Sequence, residues 1–207
     1  MPKHAFKFPS KVVDAIKRHV RNAVEAVEPA RYRQEANYTA ALVSQLDGTV
    51  YEGEHGIVVF RSTVFDDRGP GSAESRFGAD HAITATVSDG TTTIRKATLV
   101  QAKLGRLDEM SARETDFLKS QLSKMKHLVH APKVMEIPEH SGRRFPAMIS
   151  GNNVLSDQPY TPMDLPNYFA ARVTTTLDGC TNRKVVEAVQ DSSLSRIEVT
   201  AKLRRNG

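Results

Sequence analysis

Asp80, Gln101 and Lys103 are the residues of this chain whose types and spacing could do chemistry together. An aspartate and a side-chain amide both offer hard oxygens. These suit Mg²⁺, which takes oxygen ligands in an octahedron and keeps several waters. The backbone carbonyl of Ala102 supplies a third oxygen. A lysine beside such an ion can stabilise charge developing on a phosphoryl group or position an attacking water. An Asp before one strand and a Gln-x-Lys inside another also describe many solvated strand faces. The surroundings argue against that reading here. The run Leu99-Val100-Gln101-Ala102-Lys103-Leu104 sets an amide and an ammonium among apolar residues, and buried polar groups need partners.

A hairpin must position these groups. Asp80 to Val87 alternates, with Ile83, Ala85 and Val87 on one face, and Thr92 to Leu104 returns as its partner strand. Asp89-Gly90 is a short hairpin signal. As a two-residue loop it sets Ser88 opposite Thr91 and Asp80 opposite Leu99. Asp80, Leu99, Gln101 and Lys103 then share one face, with Gln101 diagonal to Asp80. A one-residue slip would separate them.

Around the hairpin, helical periodicity covers Lys11 to Val27 and Arg31 to Leu46, and Gly56 to Phe65 reads as a strand. Asp66 to Gly78 reads as a loop, with Gly69, Pro70, Gly71 and Ser72 at its centre. Ser111 caps a helix to about His130, with Glu114 closing a capping box. Its apolar face is expected from Phe117, Leu118, Leu122, Met125, Leu128 and Val129. Lys133 to Ile137 is a strand between two prolines, and Phe145 to Ile149 another. Beyond Gly151 the pattern weakens to a long loop over Asn152 to Pro166, a helix over Thr181 to Gln190 and a strand over Arg196 to Leu203. The expected class is α/β: a mixed sheet flanked by helices, in one domain.

The segment Glu74-Ser75-Arg76-Phe77-Gly78-Ala79-Asp80, followed by Leu99-Val100-Gln101-Ala102-Lys103, resembles the active-site strands of PD-(D/E)xK nucleases. It is similar to the Q-x-K variant of Mrr-like restriction endonucleases. The family's α-β-β-β-α-β core matches the element order over roughly residues 31 to 137. The departure is Gln101, a neutral amide where Asp or Glu is commoner. The resemblance implies a restriction-endonuclease-like core in residues 1–150, with 151–207 as a C-terminal extension packed on the same domain. It implies phosphodiester hydrolysis in DNA with Mg²⁺, for which Mn²⁺ substitutes. A bacterial restriction or antiphage-defence setting follows by analogy, with a homodimer and a defence-system partner as expected associations. Asp80, Gln101, Lys103 and Glu35 are the implied catalytic residues, and Asp80, Gln101, Ala102 and Glu35 the implied metal holders. Glu35 is the helix glutamate that many members carry, on the stripe of Tyr38, Leu42 and Leu46. Glu74 competes for that place. Alternatively Glu74, Ser75 and Arg76 hold the nucleic-acid backbone. The rival readings are a catalytically inactive nucleic-acid-binding module of the same fold, and a nuclease directed at RNA or junctions.

The totals fit a polyanionic partner. The chain has 207 residues, a formal net charge of +5 and a pI near 9.4, and neutralising phosphates releases counterions. Hydrophobic residues make up 39%, enough for a core. No apolar run is long enough for a membrane span, and residues 1–10 lack a secretory pattern, so the expected location is cytoplasmic with no membrane partner. One cysteine, Cys180, excludes a disulfide framework and a cysteine-rich zinc site, and is expected to be a small buried residue. The seven histidines show no H-x-x-x-H spacing, and His127 and His130 read as surface residues. Lys202, Arg204 and Arg205 read as a solvated basic end.

Overall fold

Helix α1 (Ser10–Ala26) buries Val12, Ile16, Val20, Ala23 and Val24, a stripe at helical spacing. It ends before Pro29, and a single 3₁₀ turn covers Pro29–Arg31. Helix α2 (Glu35–Gln45) starts later than the pattern at Arg31 predicts, and buries Tyr38, Leu42 and Val43. The computed structural model describes residues 6–65, 69, 71–138 and 145–204. His4, His140, Pro70 and Arg205 therefore lie outside the described residues, as do positions 66–68 of the predicted loop.

Strands β1 (Gly48–Gly53) and β2 (Gly56–Thr63) form a hairpin; β1 is an element absent from the sequence reading. Helix α3 (Ala73–Phe77) stands inside the predicted loop. Ser72 caps it through the Ser75 N–H, and Gly78 ends it in the left-handed region, φ 71°. Strands β3 (His81–Ser88) and β4 (Thr93–Leu104) follow, then α4 (Ala112–Leu128), which carries the predicted Ser111–Glu114 capping box. Next come β5 (Lys133–Ile137), β6 (Ala147–Ser150) and α5 (Gly151–Leu155). The chain closes with β7 (Met163–Asp164), α6 (Leu165–Tyr168) running into a π-helical turn (Phe169–Val173), α7 (Arg183–Gln190) and β8 (Ser195–Leu203).

Among the described residues the strands form one mixed eight-stranded sheet, ordered β1-β2-β8-β3-β4-β5-β6-β7. The last strand in sequence is thus internal. β8 pairs antiparallel with β2 and parallel with β3. Gly56 allows this approach, because a Cβ there would stand 2.0 Å from the Lys202 carbonyl oxygen. Residues 195–203, from the C-terminal extension, complete the middle of the sheet, and β8 lies between the strands at 56–63 and 81–88.

Each face of the sheet has its own apolar layer. One, with Ile83, Val100, Met135 and Val199 from the strands, is covered by α1, α2 and α6. The other, with Ala82, Leu99 and Val134, is covered by α3, α4 and α7. The predicted face of α4 is corrected in part. Leu118, Leu122, Met125 and Val129 are buried, whereas Phe117 is 62% exposed and Leu128 37%. At 100° per residue, Phe117 stands about 110° from the centre of the buried stripe, too far round to reach the sheet. No helix among the described residues is long and apolar enough to cross a membrane.

Candidate active site

The site is built at the end of β4, where it emerges between α2 and α4. The β3–β4 turn is wider than two residues. Asp89 Oδ1 accepts from the N–H groups of Thr91 and Thr92, and Ser88 pairs with Thr93. His81 accordingly pairs with Val100, a shift of two residues from the predicted register. Because strand faces alternate with period two, an even shift keeps every side chain on its face. It also moves Asp80 from a diagonal position to one beside Gln101. Gly78 sets the approach from the other side: a Cβ there would stand 2.7 Å from the Gln121 carbonyl oxygen, so α3 and α4 close on each other just before Asp80.

Asp80 Oδ2 accepts two short bonds, from Gln101 Nε2 at 2.6 Å and from the Ala102 N–H at 2.6 Å. Gln101 Nε2 also stands 3.4 Å from the Ala102 carbonyl oxygen. Gln101 is buried, and its Oε1 has no hydrogen-bond partner. Burial pushes the half-buried Asp80 carboxyl up to about 7. The Ala102 N–H, the Lys103 charge and Gln101 pull it down, while Glu74 pushes it further up. His81, buried on the opposite face of β3, has its imidazole pushed down to about 4 by desolvation and stays neutral at ordinary pH.

Lys103 and Glu35 form the second half of the site. Lys103 Nζ donates to Glu35 Oε2 at 2.8 Å, and the Leu104 N–H donates to Glu35 Oε1 at 3.0 Å. Glu35 opens α2, so its backbone position is fixed by the helix and both its oxygens are engaged. The side chains remain 13% and 32% exposed, so the pair borders solvent.

These groups line one open cleft of about 470 Å³, with Glu35, Glu74, Asp80, Gln101 and Lys103 together in its walls. A smaller cavity of about 70 Å³ shares Asp80 and Glu74 and runs under Thr39 and Phe65. The structure therefore brings together Asp80, Gln101, Lys103, Glu35 and Glu74. Ser75 and Arg76 fall outside both cavities; the Ser75 N–H serves the α3 cap, and the Arg76 guanidinium lies 4.8 Å over the Phe77 ring. Sequence reasoning missed Arg33, Phe117 and Gln121, which also line the cleft. A signal for α4 existed: Glu114, Phe117 and Gln121 recur at i, i+3 and i+7, a second stripe beside the buried one.

Among the described residues no three His, Cys, Asp or Glu side chains cluster as a metal site. The available oxygens are one carboxylate, one amide and one backbone carbonyl. The Gln101 Nε2 donor stands between the Asp80 carboxylate and the Ala102 carbonyl, where a positive group is favoured. The amide's two ends are nearly the same size. Turned over, it would place Oε1 beside Asp80, and facing acceptors need a cation between them. In that turned-over orientation three oxygens converge, a donor set that fits a hard divalent ion. Comparison with protein-family models, curated proteins and solved structures returned no match to the chain.

Proposed function

We propose that the chain is a divalent-metal-dependent nuclease of the PD-(D/E)xK type, hydrolysing phosphodiester bonds in DNA. The observation that carries the reading is the buried Gln101 amide held between the Asp80 carboxyl and the Ala102 carbonyl oxygen, an arrangement that brings three oxygens together once the amide is turned over. Asp80, Gln101 and the Ala102 carbonyl would hold Mg²⁺ or Mn²⁺, with Glu35 or Glu74 reaching it through water. When bound, the ion supplies Lewis-acid polarisation and an acidified water. Lys103 supplies a cation toward the phosphoryl oxygens, whose charge grows as water adds to phosphorus and the P–O bond to the leaving oxygen breaks. Glu35 fixes the ammonium by a 2.8 Å contact, so little reorganisation is needed when that charge develops. A restriction or defence role, a homodimer and a defence-system partner remain extensions of the same analogy.

The test is cleavage of plasmid and oligonucleotide DNA by purified protein in Mg²⁺ and in Mn²⁺. Parent protein should cleave, EDTA should stop it, and Asp80→Ala should lower the rate by at least about 10³-fold. Parental activity in Asp80→Ala would remove this site from the mechanism. A non-hydrolysing nucleic-acid-binding module is the second reading, favoured by the single carboxylate among the inner oxygens. Binding with no turnover in either metal would make it the better one.

A further inference from the structure

Four large hydrophobic residues are exposed among the described ones: Val64, Phe65, Phe117 and Leu128. Two are aromatic, and each lines a cavity that Asp80 also lines. Phe117 lines the cleft that holds Asp80, Gln101 and Lys103. It also lines an adjoining groove of about 760 Å³ that contains Glu35, Lys103 and Arg113. Phe65 lines the smaller cavity that shares Asp80 and Glu74. One side of its ring is taken by the Arg196 guanidinium at 5.7 Å. At 62% exposure Phe117 contributes little to the core, and its place on the stripe of Glu114 and Gln121 turns it toward the cleft rather than toward the sheet. Exposed Arg33 and Arg113 stand at the rim, placed to follow a phosphate backbone.

We propose that the cleft takes a single-stranded segment of nucleic acid, with an unpaired base stacked on Phe117 next to the scissile phosphate. A paired duplex hides the π-faces of its bases in the stack and offers this ring only sugar and groove edges. An unpaired base offers a π-face, and stacking on an aromatic tolerates any sequence. Rim cations with an aromatic platform between them make the usual combination for tracking a single strand. Phe117 is therefore a substrate-positioning residue rather than part of the hydrolytic machinery. The inference rests on the nuclease reading for the location of the scissile phosphate, and on Phe117 alone for the kind of strand.

The experiment measures fluorescence anisotropy of labelled oligonucleotides, single-stranded and duplex of one sequence, in Ca²⁺. Parent protein should bind the single strand more tightly. Phe117→Ala should weaken single-strand binding roughly 5- to 100-fold and duplex binding less than about 2-fold. Phe117→Trp should restore it, and circular dichroism should show both variants folded. A 2-aminopurine placed at the stacked position should be quenched by parent and by Phe117→Trp, not by Phe117→Ala. Equal loss on both substrates, no loss on either, or tighter duplex binding by the parent would overturn the proposal. If the single-strand preference depends on Phe117 but no nucleic acid is cleaved in Mg²⁺ or Mn²⁺, the hydrolytic reading fails and the stacking site stands. If cleavage occurs and Phe117→Ala changes nothing, the stacking site fails alone.

Discussion

Adjacent strands of this sheet each carry a lysine–carboxylate pair of nearly the same length, set in different surroundings. On β4, Lys103 meets Glu35 at 2.8 Å. On β5, Lys133 meets Asp178 at 2.9 Å, with side chains 11% and 19% exposed, and the Tyr168 ring 5.8 Å from the ammonium. The pair on β5 is walled in by the α6 layer. The pair on β4 opens on a 470 Å³ cleft and sits beside a buried amide oxygen that bonds to nothing. An ion pair is thus no mark of a site. What distinguishes β4 is the open cleft beside the pair, since an unpartnered buried oxygen belongs to a neighbour of each, Gln101 Oε1 on β4 and Tyr168 Oη at the β5 pair.

That contrast can be broken by paired substitutions. Lys133→Met leaves Asp178 without its cation in a mostly dry position, and should lower unfolding free energy by about 3 kcal/mol in urea titrations. Lys103→Met should cost about 1 kcal/mol or less, because Glu35 keeps solvent and the Leu104 N–H. Equal losses would mean that the two environments differ less than their exposure implies.

The next effect belongs to Asp80. Its carboxyl is raised from 3.8 in the unfolded chain to about 7 in the folded one. A raised acid favours folding in its protonated form, so its contribution is fully present below about pH 4 and lost as pH rises through 7. In EDTA, Asp80→Asn should melt higher than the parent by roughly 2–8 °C at pH 8, and the gap should narrow toward pH 5. Added Mg²⁺ should raise the melting temperature of the parent and leave that of the variant unchanged. A gap independent of pH would remove Asp80 as the titrating group. The smallest effect is Glu35→Gln, which keeps a hydrogen bond but not the anion that orients Lys103. Single-turnover cleavage should fall about 10-fold, with binding in Ca²⁺ unchanged.

The site was more legible in the sequence than the sheet that holds it. Asp80, Gln101 and Lys103 lie on two strands joined by one turn, so a local signal and the period of two suffice to place them together. The turn is wider than the Asp89-Gly90 signal implies, yet the two-residue shift leaves the faces intact. Glu35 comes from the resemblance, and its stripe with Tyr38 and Leu42 agrees with that place. The central place of β8 had no such signal: Arg196 to Leu203 reads as a strand, but its parallel pairing with β3 joins positions more than a hundred residues apart. Phe117 is apolar by type but lies off the buried stripe by its angle on α4, so residue type alone misplaces it in the core.

The most direct test of the account is single-turnover cleavage by parent and Lys103→Met in Mg²⁺, beside a binding titration of each in Ca²⁺. Charge that grows only in the transition state makes an interaction that changes turnover and not affinity. The rate should be lower by about 10² or more in Lys103→Met, with affinity changed less than about 3-fold. Cleavage by Lys103→Met at the parental rate would contradict it.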